Sequence, residues 1–246
     1  MAERIQDILA GQKAAAVEAG NLRAAKGLRN LQLQVARLQA RGFFTQEPVD
    51  VVEKVTPAKP EKPLIVVQFS EEARTGLENE GYRVYTLTGQ SIKDLREARK
   101  PFWSTWHEGY DFEALPSRLS EVAFNPEKLF LPNSNRKTLS EQEALIAKFS
   151  EGLSKGKNRI PGVEAVMGEA PDYVELAFTH LQETGDRLFG EKYGYNYART
   201  KTPTGGSYVG RVGRFDAGYG LDVHNGDRGR GRDSVFAAPL VVPAKA

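Results

Sequence analysis

The chain has 246 residues, of which 40% are hydrophobic and 27% charged, with a formal net charge of +2. That length supports one large domain or two small ones with a real core, and the near-neutral charge forces neither a nucleic-acid nor a membrane reading. The absence of cysteine excludes disulfides, thiolate metal sites and cysteine nucleophiles, and only three histidines occur, His107, His180 and His224, far apart in sequence.

Residues 3 to 41 lack proline and are rich in Ala, Leu, Gln and Arg, which favours helix. Ala10, Ala14, Val17, Asn21, Ala24, Leu28, Leu31, Val35 and Leu38 recur at spacings of three and four, the seam of a coiled coil. Asn21 occupies a seam position where a polar residue fixes register, and Gly42 suits the helix end. Three readings compete for this segment: a helix packed on its own domain, an oligomerising coiled coil, and a basic arm for nucleic acid. Pro48, Pro57, Pro60 and Pro63 then mark an extended linker. The expected organisation is an N-terminal helix over 1–44, a proline-rich linker over 45–63 and an α+β globular domain over 64–246.

Within that domain, Leu64–Phe69 reads as a buried strand and Ser70 as the cap of a helix ending at Gly81. Tyr82–Thr88 reads as a second strand and Ser91 as the cap of a short helix, so a βαβ unit is one expectation. The turn at Gly89 carries no phosphate-binding glycine pattern. Trp103, Trp106 and His107 form an aromatic cluster that reads as core packing, with a pocket wall as the alternative. Ser120–Leu131 reads as strand and turn. Thr138 and Glu141 form a capping box before a helix with Leu145, Ile146, Phe149 and Leu153 on one face. Val163–Met167 reads as a strand. Pro171 opens another helix, whose inner face carries Tyr173, Leu176, Ala177, His180, Leu181 and Leu188, so that His180 reads as a core or boundary histidine and not a ligand.

From Tyr193 the period changes to two, and the last 55 residues read as an antiparallel sheet. Gly205-Gly206-Ser207-Tyr208 turns the chain between strands. A polar, glycine-rich loop is expected over Asp222–Ser234, held between the strand at Tyr219–Val223 and a closing strand at Val235–Val242. Strands that fix the ends of such a loop make it a surface for presenting side chains to a partner, although an unoccupied hairpin loop reads the same way. The acids are scattered, the loop does not match a calcium-binding pattern, and His224 lacks a second histidine at metal spacing. No catalytic residue, metal or cofactor is assigned, and a non-enzymatic role is expected. Arg228-Gly229-Arg230-Gly231-Arg232 also suits phosphate contacts, opposed by Asp222, Asp227 and Asp233.

The Gly205-Gly206-Ser207-Tyr208 turn, the polar segment after Phe215 and the closing apolar strand resemble the C-terminal layout of variable proteins of diversity-generating retroelements. Those proteins have a C-type-lectin-like fold related to formylglycine-generating enzymes. Adenine-directed mutation in that family yields codons for Asp, His, Tyr, Ser, Gly and Arg, the types that dominate Asp222–Ser234 here. The chain departs from the family in having Tyr208 in place of the tryptophan, Val235-Phe236-Ala237 in place of Gly-Phe-Arg, and neither cysteines nor a Trp-Glu-Trp signature. The resemblance implies a C-type-lectin-like C-terminal domain with a variable ligand-binding region at about 205–243. It implies a ligand surface of Tyr219, Asp222, His224, Asn225, Asp227, Arg228, Arg230, Arg232, Asp233 and Ser234, with Tyr219 as aromatic anchor. The expected partner is a protein or other macromolecular ligand, with a homo-oligomer formed through the N-terminal helix. The alternative is a nucleic-acid-binding or phage structural protein using the basic helix and the Arg-Gly loop. No signal peptide or apolar span is apparent, so a cytoplasmic location is the default, with surface or virion display still open.

Overall fold

A computed structural model describes residues 66–103, 110–155 and 159–244, together with Ala10. The chain divides into two units, Met1–Pro60 and Glu61–Ala246, and the second holds both sheets of the fold. Apart from Ala10, the expected N-terminal coiled coil lies outside the described residues, as do the proline-rich linker and the Trp106–His107 part of the aromatic cluster.

The described residues form an α+β fold built on two four-stranded sheets. Helix α1 spans Glu71–Asn79, with the Ser70 hydroxyl accepting from the Ala73 N–H as N-cap and two acids in its first turn. Strand β1 (Arg83–Thr88) follows, then α2 (Ile92–Glu97), opened by a reciprocal capping box between Ser91 and Asp94. Strand β2 is Leu119–Phe124 and α3 is Leu139–Lys155, where Thr138 and Glu141 exchange the expected capping contacts. Strand β3 is Val163–Met167 and α4 is Ala170–Thr184, ended by Gly185 in the left-handed region. Then come β4 (Tyr197–Gly205), β5 (Tyr208–Asp216), β6 (Gly220–Asp227), β7 (Val235–Phe236) and β8 (Pro239–Pro243). Among the described residues no helix is long and apolar enough to cross a membrane.

The first sheet has the order β1-β2-β8-β3 and is antiparallel throughout. Its two faces serve two cores, as the period of two requires. Tyr85, Leu87, Val122, Phe124, Leu240 and Val242 face α4 and the second sheet. Ala123, Val163, Ala165, Met167 and Val241 face the other way, onto Ala73 and Leu77 of α1 and Ile146 of α3. Helix α4 sits between the two sheets, so Ala170 through Phe178 are all buried, more than an amphipathic stripe would bury. Its buried acids are satisfied: Glu175 accepts from the Thr88 N–H, the Thr88 hydroxyl and the Ser117 hydroxyl, and Asp172 pairs with Arg118.

Several sequence expectations are corrected. Residues 66–69 make only an isolated parallel bridge, Val67 to Ser120, with Val67 exposed, and β1 runs antiparallel to β2, so no βαβ unit forms here. Tyr193 ends a short 3-10 turn and Tyr195 has φ 53°, so neither belongs to a strand. The closing apolar run is not one strand. β7 pairs in parallel with β4 in the second sheet (order β6-β5-β4-β7), whereas β8 enters the first sheet between β2 and β3. Two buried alanines, Ala237 and Ala238, carry the chain across.

Candidate ligand-binding surface

The turn between β4 and β5 needs Gly205 and Gly206, with φ of 111° and 54°. The next turn, after Asp216, pairs β5 with β6 so that Tyr208 lies opposite Asp227 and Arg211 opposite His224. Arg199 of β4 is in turn opposite Arg211. One face of the second sheet therefore carries Arg199, Arg211 and His224 in a row, flanked by Tyr197 and Asp222.

Strand β6 continues to Asp227, so the expected loop at Asp222 begins only at Arg228 and ends at Ser234. Asp222 is no surface group: it is buried and accepts a 2.6 Å hydrogen bond from the Tyr197 hydroxyl, which reaches it across Gly213. Burial, reinforced by this bond to Asp222, pushes the Tyr197 phenol up to about 12. His224, Asn225 and Asp227 are half-buried on the strand, and the His224 Nδ1 accepts from the Asn225 N–H at 2.9 Å. Tyr219 lies at the other end of β6, roughly 25 Å from Asp227 at about 3.4 Å per residue. It is exposed and stacks on Trp103 with ring centroids 4.5 Å apart, while the Arg214 guanidinium covers the Trp103 ring. Tyr219 thus stands apart from the loop, and the ten expected site residues do not form one patch.

The loop is held by its backbone. The Arg228 carbonyl accepts from the Leu139 N–H at 2.8 Å, the Arg230 carbonyl from Arg199 Nη2 at 2.9 Å, and the Arg232 carbonyl from the Arg136 N–H at 3.0 Å. The Asp233 carbonyl accepts from Asn135 Nδ2 at 3.1 Å and the Ser234 carbonyl from the Tyr197 N–H at 2.8 Å. The Arg228 N–H donates to Ser207, and Gly229 donates to the Asp227 carboxylate. Gly231 passes so close to Arg136 that an added Cβ would stand 2.2 Å from its carbonyl carbon. Against this fixed backbone the side chains of Arg228, Arg230, Arg232 and Asp233 are exposed, and Ser234 is half-buried. Asp233 forms an ion pair with Arg136, which holds its carboxyl below the usual range.

Two residues absent from the sequence expectation build this arrangement. Arg199 is 2% exposed and donates to Gln142 Oε1, the Asp227 carbonyl, the Arg230 carbonyl and the Lys137 carbonyl. No carboxylate pairs with it among the described residues. Burial and the neighbouring cations Arg211 and Arg232 lower its pKa, and Asp227 opposes them. Gln142 is fully buried and donates its amide to the Ser134 and Val235 carbonyls. Beside them the Arg211 guanidinium lies 4.7 Å from the Tyr197 ring centre, its Nε buried without a partner. A polar residue in a strand reads as solvent-facing, so nothing local in the sequence signals that Arg199 is a core residue. Tyr208, directly after the Gly-Gly-Ser turn and exposed beside the loop, carried a signal in its position.

Among the described residues no group of three or more histidines or acids is placed to hold a metal ion. In comparisons with known proteins, no family model matches the chain, and no curated protein or solved structure is significantly similar to it.

Proposed function

We propose that the chain is a non-enzymatic ligand-binding protein that displays a diversified C-terminal surface, a variable protein of a diversity-generating retroelement with a C-type-lectin-like C-terminal domain. The observation that carries this reading is the division of labour in Arg228–Ser234. The backbone is fixed by Arg199, Asn135, Arg136, Leu139 and Tyr197, none of them in the loop, while four of its side chains point outward. Such a loop can exchange those side chains without losing its shape, and preorganised backbone lowers the entropy cost of binding. The contact surface is centred on Arg228, Arg230, Arg232 and Asp233, with His224, Asn225 and Asp227 at its edge. Asp222 and Tyr219 fall outside it.

The test is genetic. The DNA beside the gene is expected to hold a near-copy of the segment encoding Phe215–Ser234, differing mainly at adenines, next to a reverse transcriptase gene. A locus with neither would overturn the diversification reading. Salt-dependent binding of single-stranded DNA by the whole chain, lost when Arg228, Arg230 and Arg232 are changed to Gln, would favour the nucleic-acid alternative.

A further inference from the structure

A concave site lies at the far end of β5 from the clamped loop. It is a cavity of about 390 Å³, within the range of small-molecule sites of about 300–1,000 Å³. His180 of α4 lines it, although the residue is only 3% exposed. The imidazole Nδ1 is 2.7 Å from the Tyr85 hydroxyl, and among the described residues nothing hydrogen-bonds Nε2. A phenol O–H is a stronger donor than a neutral imidazole N–H, and an imidazole nitrogen a stronger acceptor than a phenol oxygen, so the Tyr85 hydroxyl donates to Nδ1. The neutral ring then carries its hydrogen on Nε2, a donor at the floor of the cavity. Burial, with Arg83, keeps the imidazole pKa below its ordinary value, so the ring is neutral at neutral pH, and Asp186 and Lys192 are the other charges that act on it.

The walls supply further donors. Arg83 and Arg187 line the cavity and form no ion pair among the described residues, Arg187 lying over the Phe215 ring. Lys192, by contrast, is paired with Glu127. Asp186 and Glu191 stand at the rim. The wall residue Tyr195 and the adjacent Phe189 have φ of 53° and 65°, a left-handed backbone that non-glycine residues adopt at a cost. Strain of this kind gathers where a ligand site is held in shape.

We infer that this cavity binds a small carboxylate-bearing molecule, its carboxylate received by the His180 Nε2–H and the Arg83 and Arg187 guanidiniums. A buried carboxylate needs such donors to offset its desolvation, and guanidinium forks match its two oxygens. The rim acids Asp186 and Glu191 would add a partner for an ammonium group, so a free amino acid and a simple carboxylic acid share the recognition chemistry. The site does not depend on the diversified-surface reading.

Long-range proton–nitrogen NMR of the full chain labelled with ¹⁵N tests it directly, because only three histidines contribute and His180→Gln assigns the signal. Sodium acetate and glycine are titrated at constant ionic strength, with sodium chloride as control. The expected result is a saturating shift of the His180 Nε2 resonance in the millimolar range with at least one of the two probes. Arg83→Gln should weaken that binding about tenfold. Saturation at lower glycine than acetate assigns the site to amino acids, and the reverse to simple carboxylates. A His180 signal that neither probe moves, that chloride moves equally, or that responds unchanged in Arg83→Gln overturns the proposal.

Discussion

The Arg199 guanidinium and the Gln142 carboxamide meet at 2.8 Å, with both side chains sealed from solvent, and between them they hold the Asp227, Arg230 and Val235 carbonyls. A buried cation is costly unless its donors are satisfied, and here neutral oxygens take the place of a carboxylate. The exposed loop is therefore anchored from beneath by a strand residue and a helix residue distant in sequence.

Arg199→Met should strand Gln142 Oε1 and several carbonyls, and at about 1–3 kcal/mol per unsatisfied group the net loss should be roughly 2–4 kcal/mol, allowing for the cation no longer buried. Urea unfolding measures it. Arg199→Lys should recover little, since one ammonium cannot span the same oxygens. Trypsin should also cut within Arg228–Arg232 faster in the variant, although those arginines are exposed in both. An unchanged cleavage rate would argue against the clamp.

Replacing Arg228, Arg230 and Arg232 together with Gln, Ser or Asn should shift stability by about 0.5 kcal/mol or less per site. Gly231→Ala should cost about 1–3 kcal/mol, because the Arg136 backbone blocks a Cβ. Leu221→Ala, on the fully buried face of β6, should cost about 2–5 kcal/mol. Melting temperatures rank the three, and a loop variant as damaging as Leu221→Ala would make the loop side chains structural.

Alkaline pH should weaken the fold through Tyr197. Its phenol titrates near 12 in the folded chain, above the ordinary value of 10.0. The unfolded chain therefore loses this proton first. The contribution is intact below about pH 10 and is lost as pH rises toward 12. Unfolding free energy followed from pH 9 to 12 should fall less steeply in Tyr197→Phe. Tyr82, also raised to about 12, keeps the slope from vanishing. Equal slopes in the two proteins would remove Tyr197 from the account.

Tyr219→Ala should change tryptophan fluorescence, since it uncovers one face of Trp103, and should cost roughly 1 kcal/mol, as aromatic pairs do. It should leave the tryptic resistance of Arg228–Arg232 unchanged, because the two ends of β6 do not touch. Cleavage accelerated to the level of Arg199→Met would mean that the two ends are coupled.

Local signals in the sequence determined most of the helix starts and several of the strands. Ser70, Ser91 and Thr138 announce helix starts because their hydroxyls satisfy orphan N–H groups a few residues away, and the structure places α1, α2 and α3 there. The Gly205-Gly206 turn and the alternation in Tyr208–Phe215 were equally legible, since a turn and a strand are set by neighbours in the chain. The mixed α+β class comes from those pieces.

What only the tertiary structure decided is which polar residues are inside and which strand joins which sheet. Asp222 and Arg199 look like surface residues in sequence, and both are buried because partners at Tyr197, Gln142 and Lys137 come from other elements. The apolar run after Ser234 looks like one strand. It divides between two sheets because β4 offers an edge to Val235–Phe236, whereas the gap between β2 and β3 receives Pro239–Pro243. Hydrophobicity fixes that a segment is buried; the available hydrogen-bonding edge fixes where, and that edge is made by chain far away in sequence.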